Sequence, residues 1–144
     1  MKILIMGLPG TGKTYLAERL ASKLQAVHFN ADKVRATINS HLDFSLQDRI
    51  KHANSLGWMC QFVKDSGHIG IADFVCPTNE TRIAFNPDYI IWMDTFKKGR
   101  YEDTNKLFVP PLLNECNLHI TDFKYSVDDI AKEIIACRHK DYNL

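Results

Sequence analysis

Eight consecutive residues carry the clearest chemistry in the chain. Gly7-Leu8-Pro9-Gly10-Thr11-Gly12-Lys13-Thr14 fits G-x-x-x-x-G-K-[ST] at every fixed position. Glycines let such a loop wrap with its amides turned inward, where a side chain would obstruct a phosphate. A helix opening at Lys13 adds partial positive charge at its N-terminus. Lys13 can then reach the β- and γ-phosphates, and the Thr14 hydroxyl is placed for Mg²⁺. The segment from Gly7 to Thr14 therefore predicts a site for a nucleoside triphosphate with its magnesium.

A triphosphate site leaves the reaction open, and the residues across from it must decide. Asp32 follows the second expected strand, on the same sheet edge as the loop. A carboxylate there can accept a proton from an attacking hydroxyl or hold water on magnesium, or it can cap a short helix. Arg35 stands one helical turn later, and Arg49 follows Asp48 near the start of a longer helix. Guanidinium groups fork onto phosphate or sulfate oxygens, so both are candidates for an anionic acceptor, with a solvated surface charge as the plainer role. Asp73 closes an otherwise apolar segment. It fits either an acid that orients Mg²⁺ through water or a strand-end turn. Phe74 beside it either stacks on a base or packs in the core. Residues 95–106 are polar and carry Lys97, Lys98, Arg100 and Lys106 around Gly99. They read either as a short lid whose Arg100 neutralises charge on the transferred group or as a solvated loop.

These residues need elements to hold them. Lys2–Met6 is a short apolar run ended by Gly7, as in a buried strand. Lys13–Leu24 spaces Leu16, Leu20 and Leu24 four apart, an amphipathic helix. A second strand is expected over Ala26–Phe29, then a short helix capped by Asp32 and running through Ile38. A long helix is expected over Ser45–Asp65, stopped by Gly67. Further strands are expected over Ile69–Val75, Tyr89–Met93 and Asn117–Ile120, and a last helix from Ser126 with Asp129 three residues on. Strands alternating with helices predict an α/β chain, a parallel sheet of mostly five strands covered on both faces. Ligands of such sheets sit beyond the carboxyl ends of the strands, where the candidate residues fall.

Length and composition narrow the classes. The 144 residues fit one domain, 1–144, without repeats or linkers. Lys and Arg number 18 against 17 Asp and Glu, a net charge of +1. That balance argues against extensive nucleic-acid binding. The apolar runs fall far short of the ~20 residues a membrane span needs, and the start is too short an apolar run for a signal peptide. The four cysteines form no Cys-x-x-Cys pair and the six histidines show no i, i+4 pair. Neither a structural metal nor a disulfide framework is expected, and the cytoplasm is the simplest compartment.

The residues resemble the adenylylsulfate kinase (APS kinase) family of the P-loop kinases, over roughly residues 2–86. Gly7–Thr14 is similar to the family's phosphate loop. Phe29-Asn30-Ala31-Asp32-Lys33-Val34-Arg35 resembles its L-D-G-D-N-V-R, with Asp32 on the proposed base and Arg35 on a substrate arginine. Asp43-Phe44-Ser45 with Asp48-Arg49 resembles its G-F-S…D-R, which places Arg49 on a second substrate arginine. Phe74-Val75-Cys76-Pro77 resembles its F-I-S-P. The chain departs from the pattern too. Asn30 stands for the first aspartate, His52 for an asparagine, Asn54-Ser55 for two arginines, Cys76 for a serine and Asn79 for an arginine, and the lid is shorter. The resemblance implies a three-layer α/β/α P-loop kinase fold, ATP with Mg²⁺, and transfer to the 3′-hydroxyl of adenosine 5′-phosphosulfate (APS). A homodimer stays open.

Three functions compete at this point. One is a kinase for a small anionic acceptor, APS first. The second keeps the ATP site but takes another acceptor, a nucleotide or a 5′-hydroxyl nucleic-acid end. The third is a nucleotide-dependent switch without transfer chemistry, against which the pairing of Asp32 with Arg35 argues.

Overall fold

Alternation along the central strand dictates the layering. β1 (Lys2–Met6) sends Ile3 and Ile5 to one face and Leu4 and Met6 to the other, and all four are fully buried. Each such side chain contributes about 1.5–3 kcal/mol on burial. The structure, a computed structural model, describes residues 1–96 and 102–142. Within them, β2 (Val27–Asn30), β3 (Gly70–Phe74), β4 (Tyr89–Met93) and β5 (Leu118–Ile120) join β1 in the order β2-β3-β1-β4-β5. Every pairing is parallel.

The two faces hold separate cores. On the first, α1 (Lys13–Leu24) brings Leu16 and Leu20 and α6 (Val127–Tyr142) brings Ile130 and Ile134 against Ile3, Ile5, Ile71 and Ile91. On the second, α2 (Ala31–Ala36) brings Val34, α3 (Leu46–Asp65) Leu56 and Cys60, and α4 (Asn79–Phe85) Phe85, against Leu4, Met6 and Ala72. This is the three-layer α/β/α arrangement the alternation predicts. At Gly57 of α3 any Cβ would stand 2.6 Å from the Phe85 carbonyl oxygen, so the bare backbone is what lets α3 pack on α4.

Bounds follow expectation where periodicity is strong. Lys13–Leu24 and Tyr89–Met93 match, and Ser45 caps α3 by accepting from the Asp48 amide. β2 begins at Val27, one residue later than expected. Two short helices, α4 and α5 (Glu102–Leu107), lie where no helix is expected. One expectation is corrected. Asn30, not Asp32, caps α2, because its side chain accepts from the Lys33 amide at 3.0 Å while Asp32 sits inside the first turn.

The topology places the site. The chain leaves β1 through α1 on the first face and leaves neighbouring β3 through α4 on the second. Two adjacent strands whose connections part to opposite faces open a crevice at their carboxyl ends. Among the described residues, no helix is long and apolar enough to cross a membrane.

Candidate active site

The crevice is a cleft of about 790 Å³ lined by the phosphate loop on one side and by Asp32, Phe44, Arg49 and Phe74 on the other. The loop folds as its sequence requires. Gly7 has φ +150°, and a Cβ on it would run into the Met93 carbonyl oxygen. Gly12 holds φ +92° as the N-terminal cap of α1, a conformation that leaves the loop amides unobstructed by a side chain. The Thr11 hydroxyl donates to the Leu8 carbonyl at 2.8 Å and itself lies fully buried, which closes the turn. From beyond β4, Thr95 donates to the Thr11 carbonyl at 3.0 Å.

Lys13 bridges the loop's own mouth, donating to the Leu8 carbonyl at 2.9 Å. Burial pushes its ammonium down from the usual lysine range to about 8, against the pull of Asp73 and Asp32, which raise it. A phosphate entering the loop would supply the negative charge that this buried cation lacks.

Across from Lys13, Thr14 donates to Asp73 Oδ2 at 2.6 Å. Asp73 is the last residue but one of β3, and its other oxygen, Oδ1, lies 2.5 Å from His28 Nε2 on β2. Asn30 is the register partner of Asp73 across these strands. Its amide NH₂ points at both carboxylate oxygens, at 3.5 and 3.4 Å, and at the Thr14 hydroxyl, at 3.3 Å. A hydroxyl and a carboxylate beside a phosphate loop form an oxygen donor set of the kind Mg²⁺ takes while keeping several of its waters. Thr14 and Asp73 fit that ion.

The acceptor side is less uniform. Asp32, no longer needed as a cap, lines the cleft with Lys13 and Thr14. Arg49 lines it too, donates from Nε to the Phe44 carbonyl at 2.8 Å, and lies over the Phe44 ring at 5.4 Å. Arg35 behaves differently and is not among the cleft's lining residues. Its guanidinium donates to the Asp43 carbonyl at 2.9 Å and stacks on Phe44 at 4.4 Å, shaping the lip rather than the floor. Phe74 takes both roles the sequence leaves open, lining the cleft and meeting Phe85 edge-on at 5.8 Å. Arg100 lies outside the described residues, as do Lys97 and Lys98. Within the expected lid segment, Thr104 of α5 reaches the cleft wall.

A buried histidine holds Asp32's helix in place. His52 Nε2 donates to the Ala31 carbonyl at 3.1 Å, and its Nδ1 accepts from Asn39 at 3.0 Å. With both nitrogens so engaged the ring is neutral, and burial drives its pKa down to about 4. His52 therefore supports the site from behind, although it stands at a family asparagine.

His28 escapes a reading of the sequence altogether. In Val27-His28-Phe29-Asn30 it looks like a polar residue on an edge strand. The usable signal is its spacing of two from Asn30, which puts both side chains on one face.

Comparison with known proteins bears on the family and the fold. The profile of the family described as Adenylylsulphate kinase matches residues 1–89. The probable adenylyl-sulfate kinase of Aeropyrum pernix is 32% identical over 54% of this chain and 45% of its own length. The adenylyl-sulfate kinase of Bacteroides thetaiotaomicron is 33% identical over 76% of this chain and 52% of its own. The chain thus spans about half the length of the curated relatives it matches. Among solved structures, the Mycobacterium tuberculosis APS kinase in complex with AMPPNP and APS superposes with a TM-score of 0.74 at 21% identity. That match covers 96% of each chain and speaks to the fold alone. With the phosphate loop, Asp32 and Arg49 gathered on one cleft and the matched profile running over more than half of its residues, this chain belongs to the adenylylsulphate kinase family.

Proposed function

We propose that this chain, as one domain over residues 1–144, transfers the γ-phosphate of ATP to a hydroxyl of a small anionic acceptor, with APS the favoured acceptor. The observation that carries this reading is the placement of Asp32. A carboxylate that faces the phosphate loop across one cleft is what deprotonation of an attacking hydroxyl requires.

The residues divide the work. The amides of Gly7–Thr14 and the Lys13 ammonium bind the phosphate chain and offset charge that builds on it during transfer. Thr14 and Asp73 hold the magnesium that accompanies ATP, which supplies further neutralisation of phosphate charge. Arg49 grips the acceptor's anionic group, and Phe74 offers a face to its ring. Arg35 orders Phe44 and the Leu42–Phe44 turn beside it. Asp32 accepts the hydroxyl proton as the oxygen attacks in line. Positioning supplies most of the rate in such a reaction, because phosphoryl transfer needs little covalent help. The cytosol is the compartment that fits, since it provides ATP and keeps the four free thiols reduced.

The lip position of Arg35 favours a second reading, a P-loop kinase whose acceptor differs from APS. One assay separates the two. The protein is incubated with γ-labelled ATP, Mg²⁺ and a panel of hydroxyl acceptors that includes APS and 5′-hydroxyl oligonucleotides. Label on APS is the expected result. Label on another acceptor replaces APS with that acceptor, and hydrolysis alone overturns the transferase reading.

A further inference from the structure

We propose that His28 is a positioning residue that, with Asn30, fixes the Asp73 carboxylate for the divalent cation carried by the nucleotide. The inference rests on the nucleotide-binding part of the reading above and deepens it.

The geometry divides Asp73 between two jobs. Its side chain is 2% exposed, so both oxygens need partners from the protein or a bound ion. A carboxylate oxygen accepts, so the contact of 2.5 Å has His28 Nε2–H as donor to Oδ1. Oδ2 is thereby left toward the loop, where it receives the Thr14 hydroxyl at 2.6 Å. The Asn30 amide spans the two oxygens and the same hydroxyl, and its own oxygen is spent capping α2. Three donors therefore hold one carboxylate in one rotamer, and the one that touches only Oδ1 is His28.

The alternative for an unheld Asp73 is close at hand. Lys13 already feels its charge. An Asp73 free to turn could pair with that ammonium, which would occupy the phosphate-binding lysine and remove the carboxylate from the metal position together. His28 anchors the carboxylate from the side away from the loop, on the edge strand β2. Partners that orient a metal-holding carboxylate typically change metal affinity by about 10–100-fold when removed.

The test compares His28→Ala, His28→Gln and His28→Asn with the parent, using the nonhydrolysable analogue AMPPNP and Mg²⁺ in calorimetry. Gln can place an amide donor near the Nε2 position, whereas Asn is too short to reach Oδ1. AMPPNP affinity in EDTA should fall in the Ala and Asn variants, where Asp73 is free to pair with Lys13, and stay within about twofold of the parent in the Gln variant. The Mg²⁺ concentration for half-maximal enhancement of binding should rise about tenfold or more in the Ala and Asn variants and return close to the parent value in the Gln variant. Melting temperatures of the variants report folding. If His28→Ala does not fold, the Gln–Asn contrast still decides. Equal magnesium midpoints in the Gln and Asn variants, or a parent-like midpoint in a folded Ala variant, overturn the role of His28 and leave the kinase reading standing. A parent protein whose AMPPNP binding ignores Mg²⁺ overturns the magnesium assignment itself.

Discussion

Raising the pH from 7 to 9 should weaken nucleotide binding about tenfold, and Lys13 sets that figure. Its ammonium titrates at about 8 in the free protein, because burial opposes the charge more than Asp73 and Asp32 restore it. At pH 7 about nine-tenths of the molecules carry the charge and at pH 9 about one-tenth, for a group with that pKa. A phosphate chain bound against Lys13 favours the protonated form, so its pKa in the complex moves up. Binding above pH 8 must then draw in a proton, and affinity falls as the free protein loses it. The free-energy cost over the two units is about 1.4 kcal/mol. Ionisation of the terminal phosphate has the opposite sign, and the magnesium bound to it keeps it ionised across this range. Calorimetry of MgAMPPNP binding at pH 7, 8 and 9 reads the affinity. Repeating each titration in two buffers of different ionisation enthalpy reads the proton uptake, about half a proton at pH 8 and most of one at pH 9. Lys13→Arg stays charged across this range and should bind with a flat profile. A parent affinity that is constant or rises from pH 7 to 9, without proton uptake at pH 9, would refute the claim that Lys13 is a buried cation awaiting a phosphate.

Other expectations follow from the same geometry. Asp32→Asn should lower turnover by about 10²–10⁴-fold while MgATP affinity changes little, and near-normal turnover would remove Asp32 as the base. Gly7→Ala should abolish nucleotide binding and lower the melting temperature, because its Cβ collides with the Met93 carbonyl; a variant that binds normally would show that the loop can shift. His52 ties stability to acid. Its folded pKa of about 4 lies below the ordinary value of 6.5, so the unfolded chain binds more protons between them. Stability from this group is full above pH 6.5 and is lost as pH falls toward 4, by up to about 1.4 kcal/mol per unit. The urea midpoint of the parent relative to His52→Gln should fall as pH drops through that window and stay level above it. Arg82 is buried and donates to the Cys76 and Val109 carbonyls at 3.0 and 2.9 Å. Arg82→Met should leave both without that partner and destabilise by about 2–4 kcal/mol in urea unfolding; a loss under 1 kcal/mol would show that water replaces it.

The half of the site that was legible in the sequence is the half whose determinants are contiguous. Gly7 to Thr14 needs only its own backbone, one strand before it and one helix after it, and each shows its period in the sequence. Tyr89–Met93 and Lys13–Leu24 are legible for the same reason. Asn30 and Asp32 illustrate the limit. Both side chains can cap a helix, and local chemistry does not choose between them. The choice falls to Asn30, whose amide also satisfies Asp73, a residue more than forty positions later in the chain and adjacent only through the β2–β3 register. α4 is invisible to periodicity because seven residues hold barely two turns. Its one signal is the reciprocal pairing of Thr78 and Thr81 at its start, which departs from the usual Glu or Gln at the second position. Arg35 feels the Asp32 carboxylate but has other partners too. The residue is one turn on, yet the Asp43 carbonyl and the Phe44 ring take its guanidinium.

The acceptor side depends on packing in a way the phosphate loop does not. Asp32 projects from a helix of six residues, too short to hold itself. Three contacts from elsewhere hold it: the Asn30 cap, the His52 bond to the Ala31 carbonyl, and Ala31 and Val34 buried in the second core. His52 comes from α3, the helix that also carries Arg49. The candidate base and the candidate acceptor clamp are therefore tied to each other both through one buried imidazole and through the sheet residues Leu4, Met6 and Ala72 on which α2 and α3 pack. A change in that core bears on both at once, and through Leu4 and Met6 on β1 as well. Among the departures from the family pattern on α3, His52 bears on the acceptor wall from behind, whereas Asn54 lines a separate hollow. On the proposed reading the acceptor wall draws on α2, α3 and Phe74 of β3, and grafting residues onto the cleft surface without their buried supports should not transfer acceptor preference.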